Sequence, residues 1–155
     1  IGSPECRNEY RQALKDFLQP HLDKLSEISR KRFDSNPLRI FDTKIDFEIA
    51  LLQDAPTITS FLIPDDANHF NEVQTYLEVL GVPFTLDTAL VRGLDYYNRT
   101  VFEWVTKDLG AQGTICAGGR YDGLVEQLGG QATQGCGFAM GLERIILLIK
   151  QQSDL

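Results

Sequence analysis

The run from Leu90 to Trp104, LVRGLDYYNRTVFEW, constrains the fold more than any other part of the chain. Its first half places Arg92 before a glycine and then brings Tyr96 and Tyr97 together, where a plain strand would carry aliphatic side chains. Residues 101–104 alternate in the manner of a strand. The run therefore predicts a turn that presents Arg92 and two tyrosines at one end of a β-sheet.

The first third of the chain is predicted to be helical. Ser3, Pro4 and Glu5 form a typical helix start, with a capping hydroxyl, an early proline and an acid that the helix dipole favours. Pro20 interrupts the helix, and a second helix or a kinked continuation is expected to run to about Phe33. The first apolar face consists of residues at helical spacing: Tyr10, Ala13, Leu14, Phe17 and Leu18.

Residues 42–54 predict a short acid-rich helix. The simplest interpretation of its acids is a solvated face; they are Asp42, Asp46, Glu48 and Asp54. Basic residues lie at the end of the preceding helix and after the turn that follows it: Arg30, Lys31, Arg32 and Arg39. Charge at a helix C-terminus is one explanation of these cations, and a patch that contacts phosphates is the other.

The second half predicts a mixture of helices and strands, hence an α+β fold. A helix opens at Pro64 and ends at Gly81, and a strand is expected over Val82–Leu86. Thr114–Ala117 is expected to pair antiparallel with the preceding strand across a loop near Lys107–Gly113. A short helix around Leu124–Leu128, a strand over Gly135–Met140 and a helix over Gly141–Gln152 complete the predicted order.

Glycines cluster beside the predicted strands. Gly118 and Gly119 precede Arg120 and Tyr121, and paired glycines after a strand let the backbone approach a ligand or another strand closely. In the last strand, small residues alternate with Cys136, Phe138 and Met140. The face made of Gly137, Ala139 and Gly141 leaves room for something flat against the sheet.

Arg144 stands in the first turn of the last predicted helix, where a cation opposes the helix dipole. An anion that Arg144 must meet explains this position best. The alternative is a structural ion pair with a neighbouring acid.

Several classes of site lack the residues they need. The chain has only His21 and His69, and its three cysteines show no CxxC spacing, so neither a metal site nor a Ser/His/Asp triad is expected. Buried free thiols in a cytoplasmic protein are the expectation. The net charge of -7 argues against indiscriminate polyanion binding. The phosphate-binding motifs GxxxxGK[ST] and GxGxxG are also missing.

Nothing in the sequence indicates export or a membrane. The chain begins at Ile1, the opening residues have neither a basic nor an apolar signal region, and no apolar run approaches a membrane span. We expect a soluble chain that is cut from a longer protein.

Three motifs in order resemble a known enzyme family. LVRGLDYYNRTVFEW (Leu90–Trp104) and AGGRYDGL (Ala117–Leu124) look like the two signature motifs of histidyl-tRNA synthetase. GFAMGLER (Gly137–Arg144) looks like motif 3 of class II aminoacyl-tRNA synthetases, and KRFDSNPLRIFD (Lys31–Asp42) resembles their helical insertion. The resemblance implies part of a class II antiparallel sheet with flanking helices over residues 61–155, and a helical, tRNA-facing insertion subdomain over residues 1–60.

The resemblance also implies a reaction. In such enzymes the histidine carboxylate attacks the α-phosphate of ATP, which enters with Mg²⁺ as a substrate, and the tRNA(His) 3′ end then takes the histidyl group. No permanently bound cofactor is implied. The implied partners are histidine, ATP and the tRNA(His) acceptor stem, and the full-length parent would be a cytoplasmic homodimer.

The same resemblance assigns residues to roles. Arg92 would bind the substrate carboxylate and the α-phosphate, in a role that other class II enzymes give largely to a metal ion. Histidine would be bound by Arg92 with Tyr96, Tyr97, Tyr121, Gly118 and Gly119, and ATP by Arg92, Gly141 and Arg144. The tRNA would meet Arg30, Lys31, Arg32 and Arg39.

The sequence departs from the family pattern by what it lacks, namely motif 1, motif 2 and the anticodon-binding domain. We therefore expect that these 155 residues do not complete aminoacylation by themselves, although the parent protein does. Two alternatives stay open. One is the synthetase-like, non-catalytic regulatory subunit of ATP phosphoribosyltransferase, which keeps a histidine pocket, and the other is an RNA-binding or interaction module.

Overall fold

The computed structural model describes residues 2–94, 96–110 and 113–152, with only the backbone of the last residue. Asp95 and part of the predicted Lys107–Gly113 loop therefore lie outside the described residues. The chain forms two compact units, Ile1–Asp95 and Tyr96–Leu155. The division at residue 60 expected from the sequence concerns the roles of the two parts, and it stays a prediction.

The described part of the first unit consists of helices joined by short connections. Its α-helices are α1 (Pro4–Leu18), α2 (Glu27–Ser35), α3 (Asp46–Gln53) and α4 (Pro64–Val79). Three 3₁₀ helices lie between them, at Gln19–Lys24, Pro37–Asp42 and Ile58–Phe61. As predicted, the Ser3 side chain caps α1, accepting a hydrogen bond from the Cys6 amide, and the α-helix ends before Pro20.

The core of this unit gathers the apolar faces of α1, α2 and α3. Its buried members are Leu14, Leu18, Leu25, Phe33, Ile40, Leu52 and Ala55. The continuation after Pro20 divides into a 3₁₀ helix and α2, because the Ser26 side chain accepts a hydrogen bond from the Ser29 amide and starts a new helix. Within α2, Ile28 is exposed.

Glu48 corrects the expectation of a solvated acidic face. Its side chain is only 1% exposed, whereas Asp46 and Asp54 are exposed as predicted. The Glu48 carboxylate accepts hydrogen bonds from the Ser26 amide (2.6 Å), the Ser29 hydroxyl (2.8 Å) and the Thr43 hydroxyl. Glu48 is close to the other acids in the sequence, but in a helix it lies on a different face from Asp46, and its hydrogen-bond donors come from other parts of the chain.

Val82–Leu86 is irregular chain, so the predicted strand is wrong. The helix before it ends as expected: Gly81 adopts φ +67°, and the Val82 amide donates to the Leu77 carbonyl. Phe84 and Leu86 are both exposed. An alternating apolar pattern forms a strand only where a neighbouring strand and a buried face support it, and both are missing around these described residues.

The second unit contains a three-stranded antiparallel sheet in the order β1-β2-β3. Its elements are β1 (Asn98–Val105), β2 (Thr114–Arg120), α5 (Leu124–Gln127), β3 (Cys136–Met140) and α6 (Leu142–Gln152). The predicted antiparallel pairing of the second strand with the first is confirmed. Gly119 pairs with Val101 on one side and with Gly137 on the other, so these three residues share a face.

The three cysteines carry free thiols. Cys6 is buried as expected, but Cys116, in β2, is half-buried and Cys136, in β3, is exposed. In the part of the chain that the structure describes, every helix is too short or too polar to cross a membrane.

Candidate functional site

Three tyrosine rings meet at one end of the second unit's sheet. Tyr96 and Tyr97 lie in the turn before β1, with ring centroids 4.7 Å apart. Tyr121 follows β2 directly; its ring stands edge-on to Tyr96 at 5.9 Å and lies 6.4 Å from Tyr97. Tyr97 is buried and the other two are half-buried. We call these three residues the tyrosine cluster. Its rings offer flat walls and its phenols offer hydrogen bonds, a combination suited to a small planar polar group.

Glycines make room for the tyrosine cluster on the sheet. A Cβ atom at Gly119 would lie 2.8 Å from Cδ1 of Tyr97, and one at Gly135 would lie 2.6 Å from Cε2 of Tyr121. A Cβ at Gly137 would lie 2.7 Å from the Tyr121 hydroxyl. Side chains larger than hydrogen would displace the rings at all three positions. The flat group that the small-residue face accommodates is therefore the ring of Tyr121.

Gly118 faces the other side of the sheet. A Cβ there would lie 2.7 Å from Cβ of Phe138, away from the tyrosine rings, because successive residues of a strand face opposite sides. The structure thus brings Gly119, but not Gly118, against the tyrosine cluster. The predicted roles of both glycines in histidine binding stay predictions.

Asp122 forms a hydrogen-bond network beside the tyrosine cluster that the sequence did not single out. Its Oδ2 atom accepts hydrogen bonds from Nε of Arg120 at 2.7 Å and from Nδ2 of Asn98 at 3.5 Å. Its Oδ1 atom accepts from the Gly135 amide at 3.2 Å. Arg120 is two positions away in the chain, but Gly135 and Asn98 are 13 and 24 positions away, so the sequence alone does not show that these donors converge on Asp122.

Arg144 lies at the opposite end of β2 from the tyrosine cluster. Its Nη1 donates a hydrogen bond to the Thr114 carbonyl, and the Gly141 amide donates to the Ile115 carbonyl at 2.9 Å. The seven residues of β2 separate the two ends by about 20 Å. Among the described residues Arg144 pairs with no carboxylate. The expected contacts of Gly141 and Arg144 with ATP stay predictions.

Arg92 and the four basic residues expected to meet tRNA belong to the first unit. Arg92 is half-buried in the segment after α4. A Cβ at the next residue, Gly93, would lie 3.4 Å from Nη1 of Arg39. Arg39 also pairs with Asp42 at 3.2 Å, which leaves its side chain 44% exposed.

The other three basic residues lie in α2. Lys31 pairs with Glu27 one turn away at 2.7 Å, Arg30 is exposed and Arg32 is half-buried. Such exposed pairs contribute little to stability and leave the charges accessible to a partner.

Comparison with known proteins agrees with this architecture. A family model described as histidyl-tRNA synthetase matches residues 3–145. The crystal structure of apo histidyl-tRNA synthetase from S. aureus is similar over 97% of this chain, with a TM-score of 0.69 and 34% sequence identity. The chain spans 36% of the length of that protein. Its mixed helices and three-stranded antiparallel sheet match the fold of that enzyme, and the chain belongs to the histidyl-tRNA synthetase family.

Proposed function

We propose that this chain forms part of the catalytic domain of a histidine–tRNA ligase, with the tyrosine cluster as its histidine site. The observation that carries the proposal is the meeting of three tyrosine rings on a sheet face cleared by glycines. An imidazole is a planar ring with two nitrogens, so it can lie against a tyrosine ring while a phenol bonds one nitrogen.

In the proposed reaction the histidine carboxylate attacks the α-phosphate of ATP, which forms histidyl-adenylate and releases pyrophosphate. A hydroxyl at the tRNA(His) 3′ end then attacks the activated carbonyl and releases AMP. ATP enters with Mg²⁺ as a substrate. The negative charge that grows around the α-phosphate during the first step requires fixed positive charge nearby.

Two arginines supply that charge in our proposal. Arg92 binds the histidine carboxylate and the α-phosphate, because a guanidinium is always charged and its fork can bind two oxygens. Arg144, a cation in the first turn of α6 without a carboxylate partner among the described residues, binds ATP. Its place at the far end of β2 favours a ligand with two parts, an amino acid at the tyrosines and a nucleotide further along the strand.

The proposal extends to the partners and the extent of the enzyme. The basic residues of the first unit contact the tRNA acceptor stem through its phosphates; they are Arg30, Lys31 and Arg32 of α2 and Arg39. The active enzyme is a cytoplasmic homodimer. We expect that these 155 residues do not complete the reaction alone, because they span 36% of the length of the S. aureus enzyme and the remainder of such an enzyme would bind part of the ATP and the tRNA.

Histidine-dependent exchange between ATP and pyrophosphate tests the proposal. The parent synthetase should catalyse the exchange, the 155-residue chain should not, and Arg92→Gln in the parent should lower the rate by about 100-fold or more. A parent protein that binds histidine without forming adenylate would instead support the regulatory-subunit alternative. Exchange at the parent rate by the 155 residues alone would contradict the claim of incompleteness.

A further inference from the structure

Asp122 connects the ends of all three strands at the site of the tyrosine cluster. Asn98 is the first residue of β1, Arg120 is the last residue of β2, and Gly135 immediately precedes β3. The carboxylate accepts a hydrogen bond from each of them, at 3.5, 2.7 and 3.2 Å respectively. The Asp122 amide also donates to Oδ1 of Asn98 at 3.3 Å, so the two residues bond each other twice.

Each residue of this network either neighbours a tyrosine of the cluster in the sequence or lies against a tyrosine ring. Asn98 follows Tyr97, and Asp122 follows Tyr121. Gly135 lies under the Tyr121 ring, and its carbonyl accepts a hydrogen bond from the Tyr121 amide at 2.8 Å. Gly135 is thus fixed through both its N–H and its C=O, and the ring that rests on it is fixed with it.

The network is sheltered from water. The side chains of Arg120 and Asp122 are each 23% exposed, so their ion pair is screened less than a surface pair. The arrangement needs two acceptor oxygens, since the donors approach from both sides of the carboxylate. An asparagine keeps the size but replaces one oxygen with an NH₂ group, which cannot accept a hydrogen bond.

We propose that Asp122 is a positioning residue for histidine binding, which holds the ends of the three strands so that Tyr97 and Tyr121 keep their separation and tilt. Asp122 acts through the rings and contacts no substrate itself. The inference rests on the proposed function in one respect only, namely that the tyrosine cluster binds histidine.

The first test follows the rings without any ligand. In protein labelled with ¹³C-tyrosine, Asp122→Asn should shift the ring resonances of Tyr96, Tyr97 and Tyr121. The resonances of Tyr10 and Tyr76, which belong to the first unit, should stay in place and serve as internal controls. Asp108→Asn, the same change at an exposed position after β1, should shift none of the three. Unmoved cluster resonances in Asp122→Asn would overturn the proposal.

A milder variant covers the case in which Asp122→Asn fails to fold. Asn98→Ala removes the double connection to β1 and leaves the Arg120 ion pair intact. It should shift the same three resonances by a smaller amount. A folded Asn98→Ala protein with cluster resonances identical to those of the wild type would contradict the inference.

Calorimetric titration then tests whether Asp122 affects the binding of histidine. Asp122→Asn should raise the Kd for L-histidine roughly tenfold, the effect of losing one partly buried hydrogen-bond network, and leave the Kd for ATP unchanged. Equal weakening of both ligands, or unchanged histidine affinity, would overturn the positioning role. A wild-type chain that binds no histidine would contradict the proposed function, and the ring resonances would still decide whether Asp122 sets the cluster geometry.

Discussion

At the scale of single residues, Glu48 connects α3 to the start of α2. Its carboxylate accepts hydrogen bonds from the Ser26 amide and the Ser29 hydroxyl at the N-terminus of α2, where the helix dipole favours a negative charge. Burial raises the pKa of Glu48, but the hydrogen bonds from Thr43, Ser26 and Ser29 lower it, and the net pKa lies below the usual value. The charged form of Glu48 therefore stabilises the folded chain.

Glu48→Gln should destabilise the protein by about 1–3 kcal/mol at neutral pH, because the amide cannot accept all three hydrogen bonds. Since the folded-state pKa is lowered, the contribution of Glu48 is present above the unfolded-state pKa of about 4.3 and is lost as pH falls through the folded value. Urea unfolding of both proteins from pH 7 down to pH 3 measures this difference. The exposed Glu72→Gln is the matched control. A Glu48→Gln deficit that persists unchanged at the lowest pH would contradict this account.

The buried hydroxyl of Tyr10 differs from the Glu48 carboxylate, whose burial is offset by hydrogen bonds. The side chain of Tyr10 is 3% exposed, and its hydroxyl has no hydrogen-bond partner among the described residues. Burial raises the pKa of Tyr10 to about 12. Tyr10→Phe should therefore leave stability at pH 7 unchanged or raise it by about 1 kcal/mol.

The pH dependence of Tyr10 has the opposite sign to that of Glu48. The contribution of the neutral phenol is present below the unfolded-state pKa of about 10 and is lost as pH rises towards 12. Tyr10→Phe should abolish that part of the alkaline loss, measured by urea unfolding at pH 7 and pH 11 with the exposed Tyr76→Phe as control. Destabilisation by more than about 1 kcal/mol at pH 7 would indicate a hydrogen bond to the Tyr10 hydroxyl.

At the scale of elements, glycines next to and within the strands leave the room that the tyrosine rings occupy. Gly135→Ala should move the ring of Tyr121, because the added Cβ would lie 2.6 Å from Cε2 and 2.9 Å from Cδ2 of that ring. We expect the Kd for L-histidine to rise about tenfold in a calorimetric titration, the effect of displacing one contact surface for the ligand. Gly123→Ala is the control, since its Cβ would meet nothing closer than 3.8 Å. Unchanged affinity in Gly135→Ala would show that the ring position is not critical.

Most elements could be predicted from the sequence because their signals are local. The local signals are those for the cap of α1, the break at Pro20, the end of α4 before Gly81 and the hairpin of β1 and β2, each of which depends on a few neighbouring residues. Val82–Leu86 was predicted wrongly because a strand needs a neighbour that its own residues do not specify.

Among the site residues, too, those with a local sequence signal could be predicted and those with distant partners could not. The motif resemblance brought out Tyr96, Tyr97 and Tyr121, and the structure brings their rings together. The roles of Asp122 and Glu48 were not predictable, since their partners lie up to 24 and 22 residues away in the chain and follow no repeating spacing.

At the scale of the whole molecule, the second unit exposes much of its apolar surface. Large side chains of β1, β3 and α6 are more than half exposed, among them Trp104, Phe138, Leu142 and Ile146. Patches of this kind are typical of surfaces that other protein segments cover. This exposure is consistent with a chain that spans 36% of the S. aureus enzyme.

Fluorescence of the single tryptophan reports on this surface. Trp104 is 56% exposed, so its emission in the 155-residue chain should be red-shifted and strongly quenched by acrylamide. In the full-length synthetase that we propose, Trp104 should be less accessible to the quencher. Blue-shifted emission that resists acrylamide in the 155-residue chain would show that this face is already covered.

The central claim is that the tyrosine cluster binds histidine, and a titration of ¹³C-tyrosine-labelled protein with L-histidine tests it most directly. We expect saturable shifts of the Tyr96, Tyr97 and Tyr121 resonances, no shift of Tyr10 or Tyr76, and no response to L-phenylalanine, whose ring lacks hydrogen-bonding nitrogens. Cluster resonances that stay unmoved at saturating histidine, or that respond equally to both amino acids, would contradict the account.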